Sequence, residues 1–256
     1  MSPAEAARFR SSRAHELHQL ADLLYNKVRV VRSADPLNDA ARGCMSAADS
    51  DPFDWSVRLD ALTFDFDDDD LHDQRHAKPA KPEAMELELT VVLGGRCQVG
   101  EYSSDPFDHL SVECLIEGYC EGASALYRTA WHLDRHGYET SSTDPAHPAY
   151  HIHFGGNALK DMEEYGHHFY LDAPRIAHPP LDVVLGIDFV LSNYFPNRRA
   201  RLFDDHAAYV DIVRDAQLRY WKPYSLAATQ RWSGSLRPIR WNAAEVWPQL
   251  VPPRKG

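Results

Sequence analysis

What this chain lacks narrows its possibilities before any motif is read. None of its 256 residues belongs to a run approaching the ~18 consecutive apolar residues of a membrane-spanning helix. The opening MSPAEAARFRSSRAHELHQL has no apolar stretch of the kind a secretory signal carries, so cytoplasmic residence is expected. Cysteine is scarce: Cys44, Cys97, Cys114 and Cys120 show no CxxC spacing, and none follows residue 120. Buried thiols in a reducing compartment fit that usage better than a disulfide framework or a four-cysteine zinc site. Excess positive charge is also missing. A net charge of -11 works against non-specific binding to nucleic acid or to acidic membrane surfaces, leaving only a small basic patch at Arg198, Arg199 and Arg201. No internal repeat is visible.

What is present reads as an ordinary globular composition, 44% hydrophobic and 25% charged. Residues 4–32 predict a helix, with Ala7, Leu17, Leu20, Leu24 and Val28 near one face. The small, acidic, turn-rich stretch 33–54 reads as a surface loop. Alternation from Trp55 to Phe66 predicts a strand that ends in Asp67-Asp68-Asp69-Asp70. That run lacks the glycine and spaced oxygens of a calcium loop and reads as solvated. A second strand follows from Met85, with a hairpin turn expected at Gly94-Gly95 and a return through Cys97–Tyr102. Leu110–Tyr119, Tyr127–Asp134 and Tyr150–Phe154 complete a meander. After Pro179-Pro180 the pattern becomes helical and apolar on all sides to Phe195, which predicts a central helix. Asp204 is the expected cap of a further helix to Trp221. The fold class is therefore α+β: an antiparallel meander sheet with an N-terminal helix and C-terminal helices. Residues 1–222 form one domain, and 223–256 form a Pro/Trp-rich extension packed on it.

Histidine is where the chain is rich. Five of its fourteen histidines fall between His147 and His168. Side chains alternate across a strand, so parity decides which can meet. In Tyr127–Asp134 the apolar parity is Tyr127, Trp131 and Leu133, leaving Arg128, His132 and Asp134 together. In Tyr150–Phe154 it is Tyr150, Ile152 and Phe154, leaving His151 and His153. Paired strands would bring Arg128, His132, His151 and His153 to one face, with cross-strand neighbours ~4.5–5.5 Å apart. Three readings stay open: a solvated or covered sheet face, a divalent metal such as zinc on His132, His151, His153 and Asp134, or a metal-free acid–base pair with Arg128 holding an anion. The last two describe a hydrolase or nuclease. His167, His168 and His178 could join any of them.

The order of elements, read with particular residues, resembles the ubiquitin-conjugating enzyme fold and its RWD relatives. Pro145-Ala-His-Pro148-Ala-Tyr-His-Ile-His-Phe154 is similar to that family's proline-preceded fourth strand. Gly166-His167-His168-Phe169-Tyr170-Leu171 falls where the family carries Gly-x-x-Cys-Leu. Pro180, the helix Val183–Leu191, Phe195-Pro196-Asn197 and Ala207-Ala-Tyr209 look like its later helices. The resemblance places the nucleophile at His168 or Phe169, where no cysteine stands, and the family's His-Pro-Asn signature is missing. It therefore implies a conjugating-like protein without thioester chemistry. Such a protein would bind a protein partner, a ubiquitin-like protein or its activating enzyme, and need no cofactor.

Overall fold

The chain begins with a capped helix. Ser2 accepts from the Glu5 amide at 3.3 Å while the Glu5 carboxylate accepts from the Ser2 amide at 2.6 Å, closing a reciprocal capping box. In this computed structural model, which describes residues 1–46, 51–74, 81–100, 102, 104–122, 126–135, 148–155, 159 and 176–229, the helix α1 spans Pro3–Asp22 and runs on through a π-helical turn, Leu23–Lys27. It buries Ala6, Ala14, Leu17, Leu20 and Ala21 along one stripe. The apolar run that follows leaves the helix, and Val31 makes an isolated bridge to Phe64.

Stretch 33–54 departs from the expected loop. Asp35–Met45 is a helix, α2, with Leu37, Ala40, Ala41 and Cys44 buried at helical spacing. Its apolar face is built largely from small residues, which is why composition alone read as a loop. The four-aspartate run is likewise structured. Asp67 caps a short helix, α3 (Asp68–Asp73), and Asp70 is buried against Arg198 Nε at 3.0 Å. Arg198 also donates to the carbonyls of Val28 and Arg29, at 2.8 and 3.0 Å, so one guanidinium ties three segments together.

Six antiparallel strands form one sheet in sequence order: β1 (Asp54–Asp65), β2 (Pro82–Arg96), β3 (His109–Cys120), β4 (Leu126–Arg135), β5 (Tyr150–Phe154) and β6 (Ile176–Ala177). This is the expected α+β meander with helices at both ends of the chain. The Gly94-Gly95 hairpin is not observed. Both glycines lie within β2, Gly94 facing Ser56 and His109 and Gly95 facing Trp55. A Cβ on Gly95 would run into the Pro106 carbonyl oxygen, so close approach, not a turn, requires glycine there. Cys97 then donates to the Phe53 carbonyl at 2.7 Å, and the described residues of the expected return, 97–100 and 102, are not in a strand.

The inner face of the sheet carries Leu59, Leu87, Leu89, Val91, Val112, Leu133 and Ile152, all buried. Helix α4 (Val183–Tyr194), capped by Asp182, lies across it; Gly186 sits against Leu89, Val91 and Val112. Helix α4 is central, as its all-round apolar pattern predicts. A separate helix, α5 (Pro196–Asp205), comes next. The helix expected from Asp204 to Trp221 is present as α6 (Ala207–Ala216) and its continuation, but it starts after His206 and not at an Asp204 cap. Buried Asp188 accepts two N–H bonds from Arg199, at 2.7 and 3.1 Å, and the Tyr209 hydroxyl at 2.9 Å, locking α4, α5 and α6. The basic patch foreseen at Arg198 and Arg199 is thereby spent inside the fold. Helix α6 continues through a π-helical turn, Gln217–Trp221, into α7 (Lys222–Thr229), where Tyr224 and Ala227 are buried. The expected extension therefore begins as packed helix. Its remainder, 230–256, lies outside the described residues.

Candidate functional site

Among the described residues, helix α4 packs on the inner parity of the sheet, and the opposite parity of β2, β3, β4 and β5 forms the other face. On β4 that parity is Arg128, Ala130, His132 and Asp134; on β5 it is His151 and His153. The register sets His132 directly opposite His153 and Asp134 opposite His151. Across the other neighbour, His132 faces Glu113, and Asp134 faces Ser111.

The side chains meet closely. The His132 and His153 rings stack with centroids 4.7 Å apart and planes 8° from parallel. His151 approaches His153 edge-on, with centroids 4.6 Å apart. His132 Nε2 lies 3.4 Å from Asp134 Oδ2, and the other oxygen of Asp134 accepts the Ser111 hydroxyl at 3.0 Å. His151 is buried, with Nδ1 3.1 Å from the Pro148 carbonyl oxygen. His132 is only partly covered and borders a cleft of about 200 Å³ lined by Glu88, Thr90, Glu113, Asp134 and Gly155. Ala130, one step along β4, is small, and Gly155, at φ 87°, donates to the Ala130 carbonyl at 2.7 Å; both line the hollow.

Arg128 occupies the same face but not the same place. It lies four residues from His132, roughly 13 Å along an extended strand, and pairs with Glu117. It does not supply an anion hook to the histidines. His178 lies at the end of β6 against Phe189, its Nδ1 2.6 Å from the Pro179 carbonyl oxygen, and burial pushes its pKa below the usual histidine value. His167 and His168, and the Gly-x-x-Cys-Leu position they stand in, lie outside the described residues.

The geometry separates the chemical readings. Zinc takes about four donors in tetrahedral array at ~2.0–2.3 Å. Among the described residues, no three His, Cys, Asp or Glu side chains converge in a way that could hold a metal ion. The described donors at His132, His151, His153 and Asp134 therefore do not fit a zinc centre. Ser111 is no nucleophile of the serine-hydrolase kind, since its hydroxyl donates to Asp134 and not to an imidazole. Thiolate chemistry has no support either. All four cysteines are free and buried, and burial pushes the Cys44 thiol up to about 12 and that of Cys114 higher still. What the arrangement can do is move protons: two imidazoles lie side by side, one oriented by a carboxylate, at the edge of a cleft.

Ser111, Glu113, Glu88 and Thr90 were not singled out from sequence. The signal was available, because Val112, Cys114 and Ile116 claim the inner parity of β3 and so send Ser111 and Glu113 outward. No protein-family model matches the chain, and no curated protein or solved structure matches it significantly. Among the described residues no helix is long and apolar enough to cross a membrane.

Proposed function

We propose that the chain is a histidine-based hydrolase whose acid–base pair is His132 and His153. The stacked pair, with His132 bordering the cleft, is the observation that carries this reading. Two imidazoles side by side can serve as an acid beside a base. Asp134, 3.4 Å from His132 Nε2, biases which nitrogen of that ring carries the proton. The neutral ring draws a proton from water as it attacks, and the protonated ring delivers one to the leaving group. Glu88, Glu113 and Asp134 give the cleft a negative lining. That lining disfavours phosphodiesters and favours neutral or cationic esters and amides, so a hydrolase is preferred over a nuclease. Four free thiols suit the cytoplasm.

The test is turnover of a panel of activated esters and amides by the wild type, His132→Gln and His153→Gln. Each substitution is expected to lower kcat/KM by about 10²–10⁴-fold. No turnover on the panel, or rates untouched by both substitutions, would sink the reading.

A second reading rests on a different observation, the unbroken meander between an N-terminal helix and C-terminal helices. That order suits a conjugating-like protein without the catalytic cysteine, binding a ubiquitin-like protein or its activating enzyme. Chemical-shift titration with ubiquitin-like proteins tests it; no perturbation on any surface refutes it.

A further inference from the structure

On a chain of net charge -11, the described lining of one cleft holds three arginines and a single glutamate. It measures about 390 Å³ and lies between α1 and residues 98–100, with Arg8, Ser12 and Arg13 on one wall, Tyr102 on another and Arg219 closing it. Arg13 and Arg219 come from opposite ends of the sequence and meet at Glu16, whose Oε1 lies 2.6 Å from Arg13 and 3.0 Å from Arg219. Each guanidinium rests over an aromatic ring, Arg13 on Phe9 at 5.4 Å and Arg219 on Tyr220 at 5.3 Å, which holds both planes in place.

This cluster is under-compensated. Glu16 is the one carboxylate in direct contact with both guanidiniums, whose side chains are 11% exposed; Arg13 also donates to the Ser12 hydroxyl at 3.0 Å, and buried Asp182 acts on it from further away. Arg13 Nε is buried with no hydrogen-bond partner among the described residues, and so is the Tyr220 hydroxyl behind it. Buried cationic donors left partly unpaired are costly, and a fold retains them where something else completes them. Glu16 weakens the compensation further. Burial pushes its carboxyl up to about 8, helped by Asp182 and Asp215 and opposed by Arg13, so near neutral pH it is largely uncharged.

We infer that the cleft walled by Arg8, Arg13 and Arg219 binds a compact oxyanion, a phosphate or carboxylate group. Planar guanidiniums present paired donors that match such oxygens, and their preset geometry lowers the entropy lost on binding. Glu16 is the internal rival for the same donors. The site is separate from the histidine cleft, whose lining is acidic.

Calorimetric titration of the full chain with inorganic phosphate, and separately with succinate, tests this at constant ionic strength set by chloride. One saturable site is expected for at least one of the two. Tighter phosphate binding identifies a phosphoryl ligand, and tighter succinate binding identifies a carboxylate. Arg219→Gln weakens binding about tenfold or more, the cost of a lost charged hydrogen bond. Arg8→Gln, at an exposed rim position, keeps the fold and weakens binding about threefold. Above pH 8, where Glu16 ionises and competes for the same donors, Glu16→Gln tightens binding about threefold, a direction that simple damage to the fold does not produce. Failure of both anions to bind, or binding indifferent to Arg219→Gln and Arg8→Gln, overturns the inference.

Discussion

Asp134 holds two partners at once: it accepts the Ser111 hydroxyl at 3.0 Å and faces His132 Nε2 at 3.4 Å. Ser111 stands directly across from it in the β3–β4 register, while His132 lies two residues back on the same strand. The serine therefore anchors the carboxylate, and the carboxylate orients the imidazole. This is how a backing group keeps a histidine in one tautomer.

Asp134→Asn is accordingly expected to leave the fold intact and lower hydrolytic kcat by about 10- to 100-fold. Because Asp134 acts through His132, the double variant with His132→Gln should be no slower than His132→Gln alone. A double variant whose losses multiply would show that Asp134 has an independent role.

Two glycines should respond in opposite senses to the same substitution. Gly95 lies in the middle strand of a crossing where a Cβ meets the Pro106 backbone, which cannot swing aside as a side chain can. Gly95→Ala is expected to destabilise by about 1–3 kcal/mol. Gly43, in α2, has nothing within 4 Å of an added Cβ, and its φ is ordinary. Gly43→Ala should stabilise by about 0.5–1 kcal/mol by restricting the unfolded chain. Urea midpoints of the two variants moving in the same direction would contradict the packing described for β2.

The contrast between those glycines shows what was legible in the sequence. Period-two alternation placed β1, β3, β4 and β5, and parity alone put His132, His151 and His153 on one face, because strand periodicity is a local property. The Gly94-Gly95 turn failed because a glycine pair signals either a reversal or close approach, and only the distant Pro106 decides between them. Helix α2 was missed because Ala40, Ala41 and Cys44 form an apolar face too small to dominate the composition. The separation of Arg128 from the histidines was readable in principle, since four strand residues cannot be bridged by a cross-strand pair. The arginine cleft was not. Arg13 and Arg219 are brought together only by tertiary packing, and nothing near either one in sequence marks the other.

That packing also gives the chain a pH dependence with a definite sign. The Glu16 carboxyl is raised from its ordinary 4.5 to about 8, chiefly by burial, so folding takes up a proton between those values. Stability from this group is fully present below the unfolded value and is lost as pH rises through the folded one. Asp182, raised to about 6 by burial, acts in the same direction lower down, while His178, lowered by burial, acts oppositely at acid pH. The window from pH 6.5 to 8 lies above both and below the range of ordinary thiols, so Glu16 dominates there. Urea denaturation should show unfolding free energy falling as pH rises across this window in the wild type. Glu16→Gln should flatten the curve there, because the amide keeps the shape and cannot ionise. A wild-type profile that is level or rising, or one that Glu16→Gln leaves unchanged, would mean that the two guanidiniums hold Glu16 ionised throughout. In that case the arginine pair is already neutralised from within, and phosphate should find no vacant charge to bind.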